Sequence, residues 1–191
     1  MLFRSVLGSA QSLEDADTEL AVVRRGTGGG AVLCDAGVLL IDLAVPAGHA
    51  LAPADVTDAY RPLGELLVAV LGGLGVATRT VTVEEARVMD EERRLAARRA
   101  CWAGVSPHEV VLPDGRKLVG LAQRRRGGVV LHQVAIPVTT PPARVADHLV
   151  GGTALAPHLA ATACLADAGW IGGVDVLWDA LAGPLAGLVS P

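Results

Sequence analysis

Of sixteen basic residues in the chain fifteen are arginine, and the sixteenth is Lys117. Where guanidinium meets almost every need for a cation, a single ammonium is a hint of a position that wants a compact point charge with three rotating donors rather than a planar fork; an exposed lysine kept by chance is the competing reading. A second stretch, "RRGTGGG" at 24–30, sets two fixed positive charges beside backbone almost bare of side chains. Successive glycines cost conformational entropy, about 0.5–1 kcal/mol each in regular structure. Close approach of a bound anionic or acyl group would account for them: the N–H groups of Gly28, Gly29 and Gly30 can donate to phosphate oxygens, and Arg24 or Arg25 can add charge-assisted bonds. A flexible turn carrying two surface arginines is the competing reading. Cys101, taken by itself, reads as a small buried apolar residue.

Two familiar glycine motifs fail on context. Gly26, Gly28 and Ala31 satisfy G-x-G-x-x-[G/A], but a dinucleotide fingerprint needs a helix to follow, and "AVLCDAGVLLIDL" reads as strand. No GK[ST] follows, which excludes a phosphate-binding loop of the Walker type. Cys34, Cys101 and Cys164 have no paired spacing, so neither a disulfide framework nor a metal site is expected. Cys34 and Cys164 read as packing residues, and His132 as a satisfied histidine within a strand.

These groups must be positioned by a modest, aliphatic core. The chain has 191 residues, 51% hydrophobic but only 3% aromatic, which suits one domain, 1–191, filled by Ala, Val and Leu. No apolar run reaches the length of a membrane span, no secretory signal opens the chain, and the net charge of −4 gives no reason to invoke nucleic acid; a cytoplasmic protein is expected. Residues 20–25 and 31–45 read as strands flanking the glycines, with "DAG" as a hairpin turn. From Asp55 to about Val76 the apolar residues step by three and four, an amphipathic helix capped by Thr57 or Asp55. A short strand is expected over 79–83. The segment "EEARVMDEERRLAARRA" runs acid-first and base-last, as a helix or a charged loop. Residues 108–138 give three strands joined at "PDG" and "GG", an antiparallel meander. Helices are expected over 143–150, 156–168 and 174–188, the last interrupted at Pro184. Strands first and helices last give an α+β fold with a mixed or antiparallel sheet and flanking helices.

"RRGTGGGAVLCDAG" and "CWAGVSPHEVVLPDGRKLVGLAQRRRGGVVLHQ", in that order, resemble the two signature blocks of the lipoate-protein ligase A family, in the biotin/lipoate ligase superfamily. The resemblance covers about residues 6–140 and implies a catalytic domain that binds an acyl-adenylate. It puts Arg25, Gly30, Ala31, Val32 and Leu33 at positions contacting nucleotide and acyl group, with Lys117 reaching both as the catalytic lysine. Arg24, Gly28, Gly29 and Gly120 complete the expected binding set. It further implies ATP and Mg2+ with lipoate or octanoate as substrate. The acceptors it implies are lipoyl carrier domains of 2-oxoacid dehydrogenase complexes or the glycine cleavage H protein. Related octanoyltransferases carry a cysteine before the lysine strand, as Cys101 and Trp102 stand here, which implies a rival route: octanoyl transfer through a Cys101 thioester, with acyl carrier protein as donor. A non-catalytic acyl-adenylate-binding module is a third reading. Against the family pattern, the helix and strand usual before "LGSAQ" and an accessory domain after the catalytic one are expected to be missing, and Cys34 stands at a histidine position.

Overall fold

The computed structural model describes the backbone of residues 5–8 and residues 18–190. Most of "LGSAQ" and everything before Ser5, on which the expected loss of an N-terminal element rests, lie outside the described residues.

The fold is α+β and holds two sheets. The larger has the strand order β4-β8-β7-β6-β5, antiparallel throughout: β4 (Val38–Pro46), β5 (Arg79–Thr80), β6 (Val110–Val111), β7 (Lys117–Arg126) and β8 (Val129–Pro137). The meander expected over 108–138 is β6-β7-β8. Its second turn is made by Gly127 at φ 58° and Gly128 at φ 77°, the pair of positive φ values that matches a two-residue turn to the twist of its strands. Helix α1 (Arg61–Gly73) lays Leu63, Leu67 and Leu71 on one face of this sheet, beside Leu177, Leu181 and Leu185 of the C-terminal helix, Val174–Val189. They meet Leu39, Ile41, Val119, Leu121, Val134 and Ile136, the alternate residues of β4, β7 and β8. The opposite face carries Leu40, Ala135 and Gly120 in one rung and Asp42, Gln133 and Ala122 in the next. Small residues there leave room, and that room becomes the site.

The second sheet corrects the expected hairpin. β1 (Ser5–Gly8) lies between β2 (Ala21–Arg24) and β3 (Val32–Cys34), parallel to the first and antiparallel to the second, so the strands flanking the glycines never pair with each other. Nor does "DAG" make a hairpin. Asp35 accepts hydrogen bonds through Oδ1 from the Gly37 N–H and the Thr140 hydroxyl, and the Gly37 carbonyl receives the N–H groups of Val138 and Thr139. Those bonds tie the turn to the end of β8, and the chain leaves it in the other sheet.

Local chemistry shifts several helix boundaries. Asp55, rather than Thr57, caps the turn before α1, its Oδ1 accepting from Thr57 N–H at 2.6 Å and Asp58 N–H at 3.1 Å. The charged segment forms two helices, α2 (Val83–Arg87) and α3 (Glu91–Arg99), because Thr82 with Glu85 builds a capping box for the first and Asp90 caps the second. The expected helices over 143–150 and 156–168 are shorter: 3-10 turns at Pro142–His148 and Leu165–Ala168 and a single-turn α4 (Ala156–Leu159). Pro184 does not interrupt α5 (Val174–Val189); it sits on the exposed side, where water can take up the carbonyl its ring leaves unpaired. No helix among the described residues is long and apolar enough to cross a membrane.

Candidate active site

Lys117 opens β7, and its backbone is bonded at both groups: its N–H donates to Ala161 O at 2.8 Å and its carbonyl accepts from Ala163 N–H at 2.9 Å. A register shift between β6 and β7 breaks the strand's alternation here and turns the side chain inward toward Gly120, where it is 2% exposed. There Nζ donates to Glu109 Oε2 at 2.8 Å and to Gly104 O at 3.0 Å, with a long contact to Cys101 O at 3.4 Å. The ammonium also lies 5.3 Å from the centre of the buried Trp102 ring. Glu109 is equally buried. Its role escaped the sequence reading, although a glutamate opening the apolar run "EVVL" was the available signal, since a carboxylate drawn into a core needs a cation.

The glycine stretch reaches the same place by backbone pairing. Ala31 N–H donates to Arg99 O at 2.7 Å and Ala31 O accepts from Cys101 N–H at 3.1 Å, which draws residues 29–31 onto the end of α3. The three glycines then differ in their surroundings. A Cβ on Gly30 would stand 2.6 Å from Ala97 O and 2.7 Å from the nitrogens of Ala100 and Cys101, so its close approach is to protein rather than ligand. Gly29 has φ 101°, and a Cβ there would lie 2.7 Å from Arg25 Nη2 and 3.3 Å from Cys101 Sγ. Gly28 faces open space. Arg25 bonds through Nη2 to Gly30 O at 2.8 Å and closes the loop on itself. Thr27, buried in the same loop, donates its hydroxyl to Gln133 Oε1, and Gln133 in turn donates to Asp42 Oδ1 at 2.8 Å, fastening the loop across β8 and β4.

Two cavities meet at Cys101 and Lys117. The first, about 410 Å³, runs over the small-residue face of the large sheet and is lined by Leu40, Gly120, Ala122 and Ala135 below, Val32 and Cys34 opposite, and Arg25, Asp42 and Gln133 as its polar groups. The second, about 280 Å³, lies between Gly28 and Gly29 on one side and Gly104, Ser106 and Glu109 on the other. Of the residues singled out from sequence, Arg25, Gly28, Gly29, Val32, Cys101, Lys117 and Gly120 line one or both. Gly30, Ala31 and Leu33 are packed behind the site, and Arg24 is exposed at the end of β2, outside both linings.

The three thiols differ in kind. Burial pushes Cys34 up to about 12, only partly offset by Arg25, and burial raises Cys164 as well. At pH 8 a thiol at that value is thiolate to about one part in ten thousand. Cys101 is half-buried and lines both cavities. Iodoacetamide at pH 8 should therefore alkylate Cys101 in the folded protein while sparing Cys34 and Cys164, as read by peptide mass mapping; equal labelling of Cys34 would contradict this placement. Histidine chemistry lies elsewhere: His132 is fully buried, donates through Nε2 to Leu51 O at 2.8 Å, and is held below the usual imidazole range by burial.

The model of the lipoyl protein ligase A/B catalytic domain family matches residues 6–154. The chain belongs to that family. Within it, the chain is similar to the octanoyltransferases LipM of Kyrpidia tusciae (38% identical over 122 residues, 63% of this chain and 42% of that protein) and Moorella thermoacetica (37% over 140 residues, 70% and 49%). The LipM of Staphylococcus aureus is 36% identical over 118 residues, 60% of this chain and 41% of that protein. The chain thus spans less than half the length of these relatives. In fold it is similar to the bipartite lipoate protein ligase of Thermoplasma acidophilum (TM-score 0.70, 22% identity, 97% of this chain and 67% of that one). It is similar too to a lipoate-protein ligase A bound with ATP (TM-score 0.69, 21%, 97% and 68%). For this family member those two likenesses concern the fold alone.

Proposed function

We propose that the protein is an octanoyltransferase acting in the cytoplasm: Cys101 takes an octanoyl group from a thioester donor such as acyl carrier protein and passes it to a lysine of a lipoyl carrier domain. The observation that carries this reading is the place of Cys101 Sγ, on the side where a Cβ added to Gly29 would come within 3.3 Å of it and where an apolar cavity meets the one that Lys117 and Glu109 line. The acyl chain would lie over Gly120, Ala122 and Ala135, between the sheet and Val32. Its carbonyl would then stand beside Lys117, whose ammonium stabilises the charge that develops on oxygen when Sγ adds to the carbonyl carbon. The new S–C bond forms as the bond to the donor sulfur breaks, and the thiol proton leaves with the donor thiol. In the second step the acceptor amine attacks, Cys101 is expelled, and the amine's proton restores its thiol. The relatives named octanoyltransferase support this ordering of the two enzyme readings.

The ligase route is the second reading, favoured by one observation: Gly28, Gly29 and Lys117 converge on the second cavity, where they would hold a phosphate of ATP. Among the described residues no group of three or more His, Cys, Asp or Glu side chains is disposed to hold a metal ion. Mass analysis of a lipoyl domain separates the routes. Transfer from octanoyl-acyl carrier protein without ATP supports the thioester route; transfer only with free octanoate or lipoate plus ATP supports ligation; neither supports a binding module.

A further inference from the structure

The ammonium of Lys117 has three protons and meets three oxygens, at 2.8 Å, 3.0 Å and 3.4 Å. The shortest contact is to a carboxylate that the fold immobilises from two sides: Glu109 Oε1 accepts from Leu121 N–H of β7 at 3.0 Å, and Oε2 from Ser106 N–H at 2.8 Å. The backbone entering Glu109 is strained. His108 has φ 66°, the one positive φ outside glycine among the described residues, and its carbonyl is pressed against Gly64 of α1, where a Cβ would come within 2.3 Å. Such backbone persists where its surroundings over-determine it, and it clusters at functional sites. A buried ion pair is also weak as a device for stability, because apolar residues of similar volume commonly serve as well or better. Strain, desolvation and a double clamp all converge on one carboxylate, and that carboxylate faces the chain's single lysine.

We propose that Glu109 is a positioning residue: it fixes the Lys117 ammonium so that one proton points at the acyl oxygen beside Cys101 Sγ. This rests on the acyl-transfer reading above. Glu109 and Gly104 hold two protons on the loop side, and the third, on the long contact to the Cys101 carbonyl, is the one free to pass to a substrate oxygen as negative charge gathers there. Glu109 touches no substrate and moves no proton. Its loss lets the ammonium rotate and drift, so transition-state stabilisation falls while binding of the apolar chain, made by other residues, does not.

A double-mutant cycle tests this in the full chain, using the single-turnover rate of Cys101 octanoylation from the octanoyl thioester of N-acetylcysteamine, with folding followed by thermal unfolding. Glu109→Gln is expected to slow the step about 10²-fold with half-saturation changed by less than about threefold, and Lys117→Gln to slow it about 10³-fold. The double variant should be no more than about threefold slower than Lys117→Gln alone, because Glu109 acts only through the lysine. Losses that multiply would overturn the proposal and leave Glu109 a structural residue. If Glu109→Gln does not fold, Glu109→Asp takes its place: about tenfold slower in the wild-type background and without effect in Lys117→Gln, with a loss that persists there counting against the proposal. Wild-type protein that forms no thioester tells against the acyl-transfer reading itself, whereas a folded Glu109→Gln that reacts at the wild-type rate tells against Glu109 alone.

Discussion

Cys101→Ser is expected to lower octanoyl transfer from a thioester donor by about 10³-fold or more, with the fold intact. The substitution keeps shape and volume and changes only the atom that would carry the acyl group. A thiol ionises near neutral pH, whereas a hydroxyl needs a general base within hydrogen-bond reach. Among the described residues, no side chain is hydrogen-bonded to Cys101 Sγ, and Asp42 of the same cavity is bonded to Gln133. His132 is on the far side of the sheet with Nε2 committed to Leu51 O, Glu109 is saturated by Lys117 and two N–H groups, and Lys117 is itself a donor. Serine would sit in the right place with nothing to activate it. Steady-state transfer to a lipoyl domain measures the effect, and a Cys101→Ser protein transferring at the wild-type rate would move the chemistry from the thioester to the adenylate.

Lys117 gives the second large effect, and two substitutions divide it. Lys117→Met removes the ammonium but not the bulk, so transfer should fall by about 10²–10³-fold. Stability should fall too, by about 3–5 kcal/mol, because buried Glu109 loses its cation and keeps only its two backbone N–H donors. Lys117→Arg keeps a cation for Glu109 but sets a broad planar fork between Gly104 O and the Trp102 ring, where the ammonium fits with single bonds at 2.8 Å and 3.0 Å. We expect Lys117→Arg to recover more stability than activity, remaining at least about tenfold slow. Denaturant unfolding and single-turnover transfer, run side by side, check both. An arginine variant as active as wild type would show that charge alone suffices and that the lone lysine in an arginine-rich chain is incidental.

How far the sequence carried this picture depended on the range of the interactions involved. The meander was legible because β7 and β8 alternate and Gly127-Gly128 signals its turn; every determinant lies within about thirty residues. Lys117 and Cys101 stood out by residue type and by family resemblance, and both line the same junction. The hairpin expected around the glycines failed because strand partners are not written locally: β1 enters between β2 and β3, and Thr139 and Thr140 recruit the "DAG" turn to the other sheet. Glu109 was missed for the same reason. Its partners Lys117, Leu121 and Ser106 all lie within twelve residues, but the register shift between β6 and β7 that sets which of them it meets is not written in the alternation. Gly30 was read correctly as a place of close approach but for the wrong neighbour, since the surface it touches is α3 and Cys101. Only Gly28 and Gly29 of the three glycines are left facing a cavity.

The most direct measurement is the mass of the protein itself after brief mixing with an octanoyl thioester, acid quenching and peptide mapping. The account predicts one octanoyl group, carried on Cys101, formed without ATP and consumed when a lipoyl domain is added. Acylation of the lipoyl domain with Cys101 never labelled, or labelling that appears only when ATP is supplied, would contradict it.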